Sequence, residues 1–262
     1  MARTVPDLAL LLSVQAGYDP RTPNSVHADP GIFAEPLDTD IRGWRIGWLG
    51  DLGGHIAVEP GILELCREGL AALESLGAHV EPAMPDFPLE TMFQNWIVLR
   101  AWGFAAARGD IFADPATRAK MKPEAQWEVE RGLTLTALEV ERACRVRSAW
   151  FDCVRRMFDT YDALVLPSAQ AFPFSVGTPW PASIAGRTMD TYHRWMEVMI
   201  PFTMANLPAI SVPVGFNAGG LPMGMQIAGP CHAEMRVLRI AHAYDSATGW
   251  VSKRRPALLS NG

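Results

Sequence analysis

The spacing of apolar residues predicts a strand, a helix and a second strand in the first third of the chain. Residues 44–49 (WRIGWL) form a short apolar segment, and residues 78–80 form another. Between them, from about Glu59, apolar residues recur every three or four positions up to Leu76, and Gly77 follows where a helix commonly ends. A strand–helix–strand order of this length predicts two parallel strands joined by a crossover helix.

The second half of the chain predicts further strands and helices. A long, largely apolar helix is predicted over residues 89–107, and Thr136 and Glu139 have the spacing of a capping box that opens a helix to about residue 160. Residues 163–166 predict a buried strand, and a further helix is predicted from near Asp190. Residues 209–214 and 223–228 flank a glycine-containing turn and predict a hairpin, followed by a helix over residues 233–246. We therefore predict an α/β fold with a mixed, partly parallel β-sheet flanked by helices, organised as one unit over residues 1–262.

A helix is also predicted almost at the first residue. Thr4 and Asp7 have the capping-box spacing, and Val5, Leu8 and Leu12 lie on one apolar face. This face requires a covering layer, which we expect to lie in a segment that the chain lacks.

Composition excludes several classes of protein. With 49% hydrophobic and 19% charged residues, 262 residues can build a globular core. A net charge of −5 is unlike that of nucleic-acid or anionic-membrane binders. The two long charge-free stretches, residues 163–186 and 198–233, contain too many prolines to be membrane-spanning helices. No basic-then-apolar leader is visible, so we expect a cytoplasmic location, with the four cysteines as buried free thiols.

Motifs for metals and phosphates do not occur in their usual spacing. The six histidines and four cysteines include no H-E-x-x-H and no C-x-x-C, so no metal site is predicted. Residues 50–54 (GDLGG) fit neither dinucleotide nor P-loop patterns and are interpreted as a tight turn. The residues alone indicate no cofactor.

No nucleophile is evident from the residues either. Ser211 lies in an apolar strand pattern, which favours a buried structural hydroxyl. Cys231 precedes His232 at a strand-to-helix turn, but adjacent residues rarely face each other. The three lysines, Lys120, Lys122 and Lys253, all lie in polar surroundings, unlike a lysine that acts as a base.

An aromatic and methionine-rich segment, residues 192–204, permits two interpretations. Its apolar side chains can pack in the core, or they can line an apolar substrate pocket. The residues leave both possibilities open.

Three parts of the sequence together resemble a known family. They are residues 1–9 (MARTVPDLA) with 16–21 (AGYDPR), residues 161–168 (YDALVLPS), and residues 202–216 (FTMANLPAISVPVGF) with 220–229 (GLPMGMQIAG). In this order they resemble the part of the amidase-signature hydrolases that follows the signature segment. The resemblance implies an amide-bond hydrolase without a cofactor, in which a lysine, a serine in a cis peptide and a nucleophilic serine form an acyl-enzyme.

The groups that this mechanism needs are not in the sequence. It has no Ser-Ser pair, no Gly-Gly-Ser and no lysine before Lys120, so no catalytic residue can be assigned. The resemblance leaves this chain the role of a substrate-pocket wall, for which Met199, Phe202 and Thr203 are the candidate substrate-binding residues. We hypothesise that the chain is the C-terminal portion of an amidase, from a truncated or split gene or a misplaced start.

Three functions remain open at this point. The chain can be part of an amidase that acts on a small amide substrate once an N-terminal segment is restored. It can instead be an inactive fragment or subunit that supplies scaffold and pocket wall to a partner chain or a homo-oligomer. A third, weaker alternative is an independent hydrolase that uses Cys231 or Ser211. Neither nucleic acid nor a membrane is an expected partner. The sequence does not separate a simple amidase from a tRNA-linked amidotransferase subunit.

Overall fold

Residues 1–254 are described by a computed structural model of the chain. In this part of the chain the α-helices are α1 Val5–Gln15, α2 Ile62–Ser75, α3 Leu89–Ala113, α4 Pro115–Arg118, α5 Pro123–Leu133, α6 Ala137–Met157, α7 Ile200–Met204, α8 Glu234–Thr248 and α9 Trp250–Lys253. The strands are β1 Arg45–Trp48, β2 His79–Pro82, β3 Ala163–Pro167, β4 Ser183–Ile184, β5 Arg187–Thr188, β6 Ala209–Phe216 and β7 Pro222–Ala228. Two 3₁₀ helices span Pro30–Ala34 and Arg194–Met199.

Five strands form one mixed sheet in the order β2-β1-β3-β7-β6. Strand β1 pairs in parallel with β2 on one side and with β3 on the other. Strand β7 runs antiparallel to both β3 and β6, and the β6–β7 hairpin forms where the sequence predicts it. Strands β4 and β5 form a separate small hairpin. The predicted fold class, a mixed and partly parallel sheet flanked by helices, is confirmed.

The two faces of the sheet are covered unequally. Helices α2 and α8 pack against one face, and α3, α6 and α7 build the apolar layer on the other. Along β6, Ile210, Val212 and Val214 are buried, whereas the alternate residues Ala209, Ser211 and Pro213 are exposed. Because successive side chains of a strand point to opposite faces, the second face is open at β6.

The N-terminal helix corrects one expectation from the sequence. Helix α1 begins at Val5 with Thr4 as its N-cap, but its apolar face does not await a missing layer. Val5 and Ala9 are buried, and Leu8 packs against the same core, because α1 lies against the 3₁₀ helix Pro30–Ala34 and α8. The apolar face of α1 is thus covered by the chain itself.

The helix predicted from near Asp190 is also corrected. The structure has a 3₁₀ helix over Arg194–Met199 and then the short helix α7, with non-helical dihedral angles at Met196. Pro201 has no backbone N–H to donate, so it starts the second helix instead of continuing the first. Residues 194–204 therefore form a bent segment, which we call the wall segment.

Candidate functional site

The wall segment is held on the second face of the sheet by two buried glutamines. The N–H of Val198 donates to Oε1 of Gln170 at 3.0 Å, and its carbonyl oxygen accepts from Nε2 of Gln226 at 2.8 Å. Gln226 lies in β7, and its Nε2 also donates to the carbonyl of Pro167 at the end of β3 at 2.9 Å. The two glutamines thus fix the backbone of one residue against two strands.

Helix α6 fixes the other end of the wall segment. The indole N–H of the buried Trp150 donates to the carbonyl oxygen of Pro201 at 2.8 Å, and Nε of Arg147 donates to that of Met204 at 3.2 Å. With its backbone held from both sides, the segment presents a preorganised surface to whatever lies above it.

The three candidate substrate-binding residues do not occupy equivalent positions. Met199 is 52% exposed, and Thr203 is exposed one helical turn further on, with its Oγ1 donating to the carbonyl of Met199 at 2.9 Å. Phe202 is only 2% exposed and packs in the core beneath them. The structure thus brings Met199 and Thr203 to one surface and places Phe202 under it.

A buried ion-pair cluster lies beneath the wall segment. Glu197, 1% exposed at its side chain, accepts from Nε2 of His55 at 2.8 Å and from Nη1 of Arg194 at 3.1 Å. The same guanidinium donates to Glu90 of α3 at 2.9 Å and to Asp190 at 3.1 Å. The hydrogen bond from Arg194 lowers the pKa of Glu90 to about 2.

This cluster also contains a possible metal-ligand set. One ligand atom each from His55, Glu90 and Glu197 lies within 4.8 Å of the others. Arg194 already supplies a positive charge and hydrogen bonds to both carboxylates, so the arrangement is explained as an ion-pair network. It positions the wall segment relative to α3.

A second buried pair connects the start of the wall segment to α5. Nε2 of His193 lies 2.6 Å from Oε1 of Glu128, which also accepts from Nε of Arg100 at 2.7 Å. Burial raises the pKa of Glu128, but the hydrogen bonds from His193 and Arg100 outweigh burial and hold it below its usual value. The rings of Trp96 and Trp127 lie against His193 at 5.3 and 5.9 Å.

Two serines meet at the open part of the second face. Oγ of Ser211 in β6 lies 2.6 Å from Oγ of Ser168, directly after β3. Ser211 is exposed, which corrects the expectation of a buried hydroxyl: its side of β6 faces the uncovered part of the sheet. Gly224 keeps this place free, because a Cβ there would lie 3.1 Å from both hydroxyl oxygens. We call Ser168 and Ser211 the serine pair.

No base accompanies the serine pair. In residues 1–254, Lys120, Lys122 and Lys253 are all exposed, and no serine hydroxyl there is hydrogen-bonded to a lysine. A serine needs an adjacent base to become an effective nucleophile. The chemistry of a serine–lysine amidase is therefore not assembled within the described residues.

The cysteines differ from one another more than the sequence suggested. Cys66 and Cys153 are buried, but Cys144 is exposed and Cys231 is half-buried. Burial raises the pKa of the Cys66 thiol to about 12, which opposes formation of the reactive thiolate. The expectation of four buried thiols is thus wrong for Cys144, which lies on the outer side of α6.

None of the helices described in residues 1–254 combines the length and the apolar character needed to cross a membrane.

Sequence comparisons place the chain among amidases. The amidase family model matches residues 1–238. An acylamidase of Rhodococcus erythropolis is 33% identical over 97% of this chain and 53% of its own length. A glutamyl-tRNA(Gln) amidotransferase protein of Thermosynechococcus vestitus, one subunit of that enzyme, is 30% identical over 95% and 55%, respectively. The chain spans about half the length of the curated relatives it matches.

Solved structures give the same result. A bacterial aryl acylamidase of the amidase-signature enzymes superimposes with a TM-score of 0.83 and 26% identity, over 95% of this chain and 52% of that one. A 6-aminohexanoate cyclic dimer hydrolase in complex with its substrate shares the fold, with a TM-score of 0.79 and 24% identity, over 98% and 56%. The family model covers far more than half of the chain, so the chain belongs to the amidase family of amidase-signature enzymes.

Proposed function

We propose that this chain forms the scaffold and substrate-pocket wall of an amide-bond hydrolase whose reacting groups lie in the half of the amidase domain that it does not contain. The observation that carries the proposal is a family match over residues 1–238 combined with a serine pair that has no lysine beside it. Residues 1–262 are then the C-terminal portion of one amidase-signature domain.

The proposed division of labour assigns the chemistry to the other half of the domain. There, a lysine accepts a proton through the cis serine from the nucleophilic serine, which attacks the amide carbonyl carbon. The C–N bond breaks, the amine leaves with a proton, and water then hydrolyses the acyl-enzyme ester. In this chain, Met199 and Thr203 contact the small amide substrate from the wall segment, and Phe202 supports them from below.

The rigidity of the wall segment favours this role. A pocket wall contributes most when its side chains are already in place before the substrate binds. Val198 is held by Gln170 and Gln226, and Glu197 is held by two buried or half-buried partners. An exposed residue such as Met199 on so constrained a backbone is typical of a surface that receives a partner or a ligand.

The alternative is an inactive fragment or subunit that supplies only scaffold to a partner chain or to a second copy of itself. The missing base favours this alternative as much as it favours a divided enzyme. The relatives found are compatible both with a simple amidase and with part of an amidotransferase. A cytoplasmic location completes the proposal, and fractionation of cells that express the tagged protein would test it.

Complementation tests the proposal. The chain is co-expressed with the part of the Rhodococcus erythropolis acylamidase that it does not match, and hydrolysis of a simple amide is followed in the purified mixture. We expect turnover only in the mixture, and Met199→Ala should raise KM severalfold with little change in kcat. Val14→Ala, at a residue of α1 that is 79% exposed, is the matched control. A mixture that associates but never hydrolyses an amide would favour the inactive-scaffold alternative.

A further inference from the structure

An apolar cavity adjoins the serine pair at the carboxyl end of β3. It has a volume of about 340 Å³, and its walls include the rings of Phe172, Phe174 and Trp195. Ser168 and Gly224 lie at its edge, so one member of the serine pair belongs to the cavity lining. The carboxyl ends of parallel strands are a common place for ligand sites in α/β sheets. We call this cavity the aromatic pocket.

The lining indicates an uncharged, apolar ligand group. None of the ten lining residues carries a charge. Phe174 is 41% exposed, and its ring meets that of Trp195 edge-on at 5.6 Å, which leaves aromatic surface open to a third ring. The volume lies near the lower end of the roughly 300–1,000 Å³ typical of ligand pockets, so it suits a single ring or a compact aliphatic group.

The serine pair adds a polar contact at one end of this apolar surface. The two hydroxyls use one hydrogen between them, at an oxygen–oxygen distance of 2.6 Å, and keep one hydrogen and several lone pairs available. They can therefore donate to an amide carbonyl oxygen or accept from an amide N–H. An ammonium or carboxylate group would find no partner of opposite charge in the lining and would lose its hydration there.

We propose that the aromatic pocket binds the apolar side of an uncharged amide, with a single aromatic or compact aliphatic group against Phe174 and Trp195 and the amide beside the serine pair. The proposal names the substrate class and, in treating the bound amide as substrate, rests on the proposed function. It favours anilide-like amides over the amide of a free amino acid such as glutamine.

Binding can be tested on the chain itself. 4-Fluoroacetanilide is titrated with the purified protein, and its ¹⁹F signal is followed; L-glutamine is then added as a competitor. We expect saturable binding that glutamine does not displace. Phe174→Ala should weaken binding about fivefold or more through the lost ring contact. Phe151→Ala, which removes a ring on α6 with 36% exposure, should leave binding unchanged.

The outcomes separate this inference from the proposed function. Circular dichroism confirms that each variant is folded, and Ser168→Ala tests the polar end without removing a ring. Equal binding by the wild type and Phe174→Ala, no binding at all, or displacement by glutamine would overturn the inference. If the complemented enzyme hydrolyses amides while Phe174→Ala leaves KM for 4-fluoroacetanilide unchanged, the function stands and the pocket assignment is wrong. If the anilide binds as expected but no complemented enzyme turns it over, the pocket stands and the proposed function fails.

Discussion

The close crossing of α3 and α5 gives a sharp test of how the site is supported. Gly132 of α5 lies so near α3 that a Cβ on it would be 2.2 Å from the carbonyl oxygen of Ala101 and 2.5 Å from the Cβ of Ala105. Contacts under 3.0 Å to a backbone oxygen cannot be relieved by rotating a side chain. The Gly132→Ala variant must therefore push the two helices apart.

The expected magnitude follows from two opposing terms. Glycine to alanine in a helix normally gains up to about 1 kcal/mol of helix propensity. Overpacking of a tight contact costs about 1–3 kcal/mol, occasionally more. The variant also strains the link between Arg100 of α3 and Glu128 of α5, on which His193 depends. We expect Gly132→Ala to lose about 1–3 kcal/mol of unfolding free energy overall.

The matched control is Gly103→Ala on α3. A Cβ on Gly103 meets nothing within 4 Å, so this variant should gain up to about 1 kcal/mol. Urea unfolding followed by circular dichroism measures both changes, with the slope checked for two-state behaviour. If the two variants shift stability in the same direction, the close crossing of α3 and α5 is not present in the protein.

Three further expectations follow from single side chains. Iodoacetamide at pH 8 should modify the exposed Cys144 of the native protein at least tenfold faster than the buried Cys66, whose pKa is raised to about 12; equal rates by mass spectrometry would contradict the burial of Cys66. Arg194 lowers the pKa of Glu90 from 4.5 to about 2, so the stability that this pair contributes should be present above pH 4.5 and disappear as the pH falls towards 2; Glu90→Gln should flatten that acid limb in pH-dependent unfolding, and an unchanged limb would refute it. Trp150→Phe leaves a buried carbonyl without its indole donor and should cost about 1–3 kcal/mol in urea unfolding, against no change if the hydrogen bond is absent.

Local patterns predicted the elements whose residues interact with near neighbours in sequence. Helix α6 is capped by Thr136 and Glu139 as the spacing indicates, and the β6–β7 hairpin follows from two apolar runs around a glycine-containing turn. Helix α5 was not predicted. Its buried positions include Glu128 and Gly132, which a search for apolar periodicity does not count as core residues.

The supports of the candidate site were missed because they join distant parts of the chain. His55 and Glu197 are 142 residues apart, and Gln170 and Gln226 act on a backbone group instead of on each other. One signal was available in the sequence: Arg194 and Glu197 interrupt an otherwise apolar segment, and charged residues in such a place are buried only as pairs. The exposure of Ser211 depends on which part of a sheet face is covered, and the strand pattern contains no information on that.

The central claim is that the serines of this chain are not activated nucleophiles. It is tested most directly by incubating the purified chain alone with a fluorophosphonate probe and identifying any modified serine by mass spectrometry. The account predicts no labelling above that of the unfolded chain, because the serine pair has no lysine to draw its proton. Rapid, stoichiometric labelling of Ser168 or Ser211 in the folded protein would contradict it.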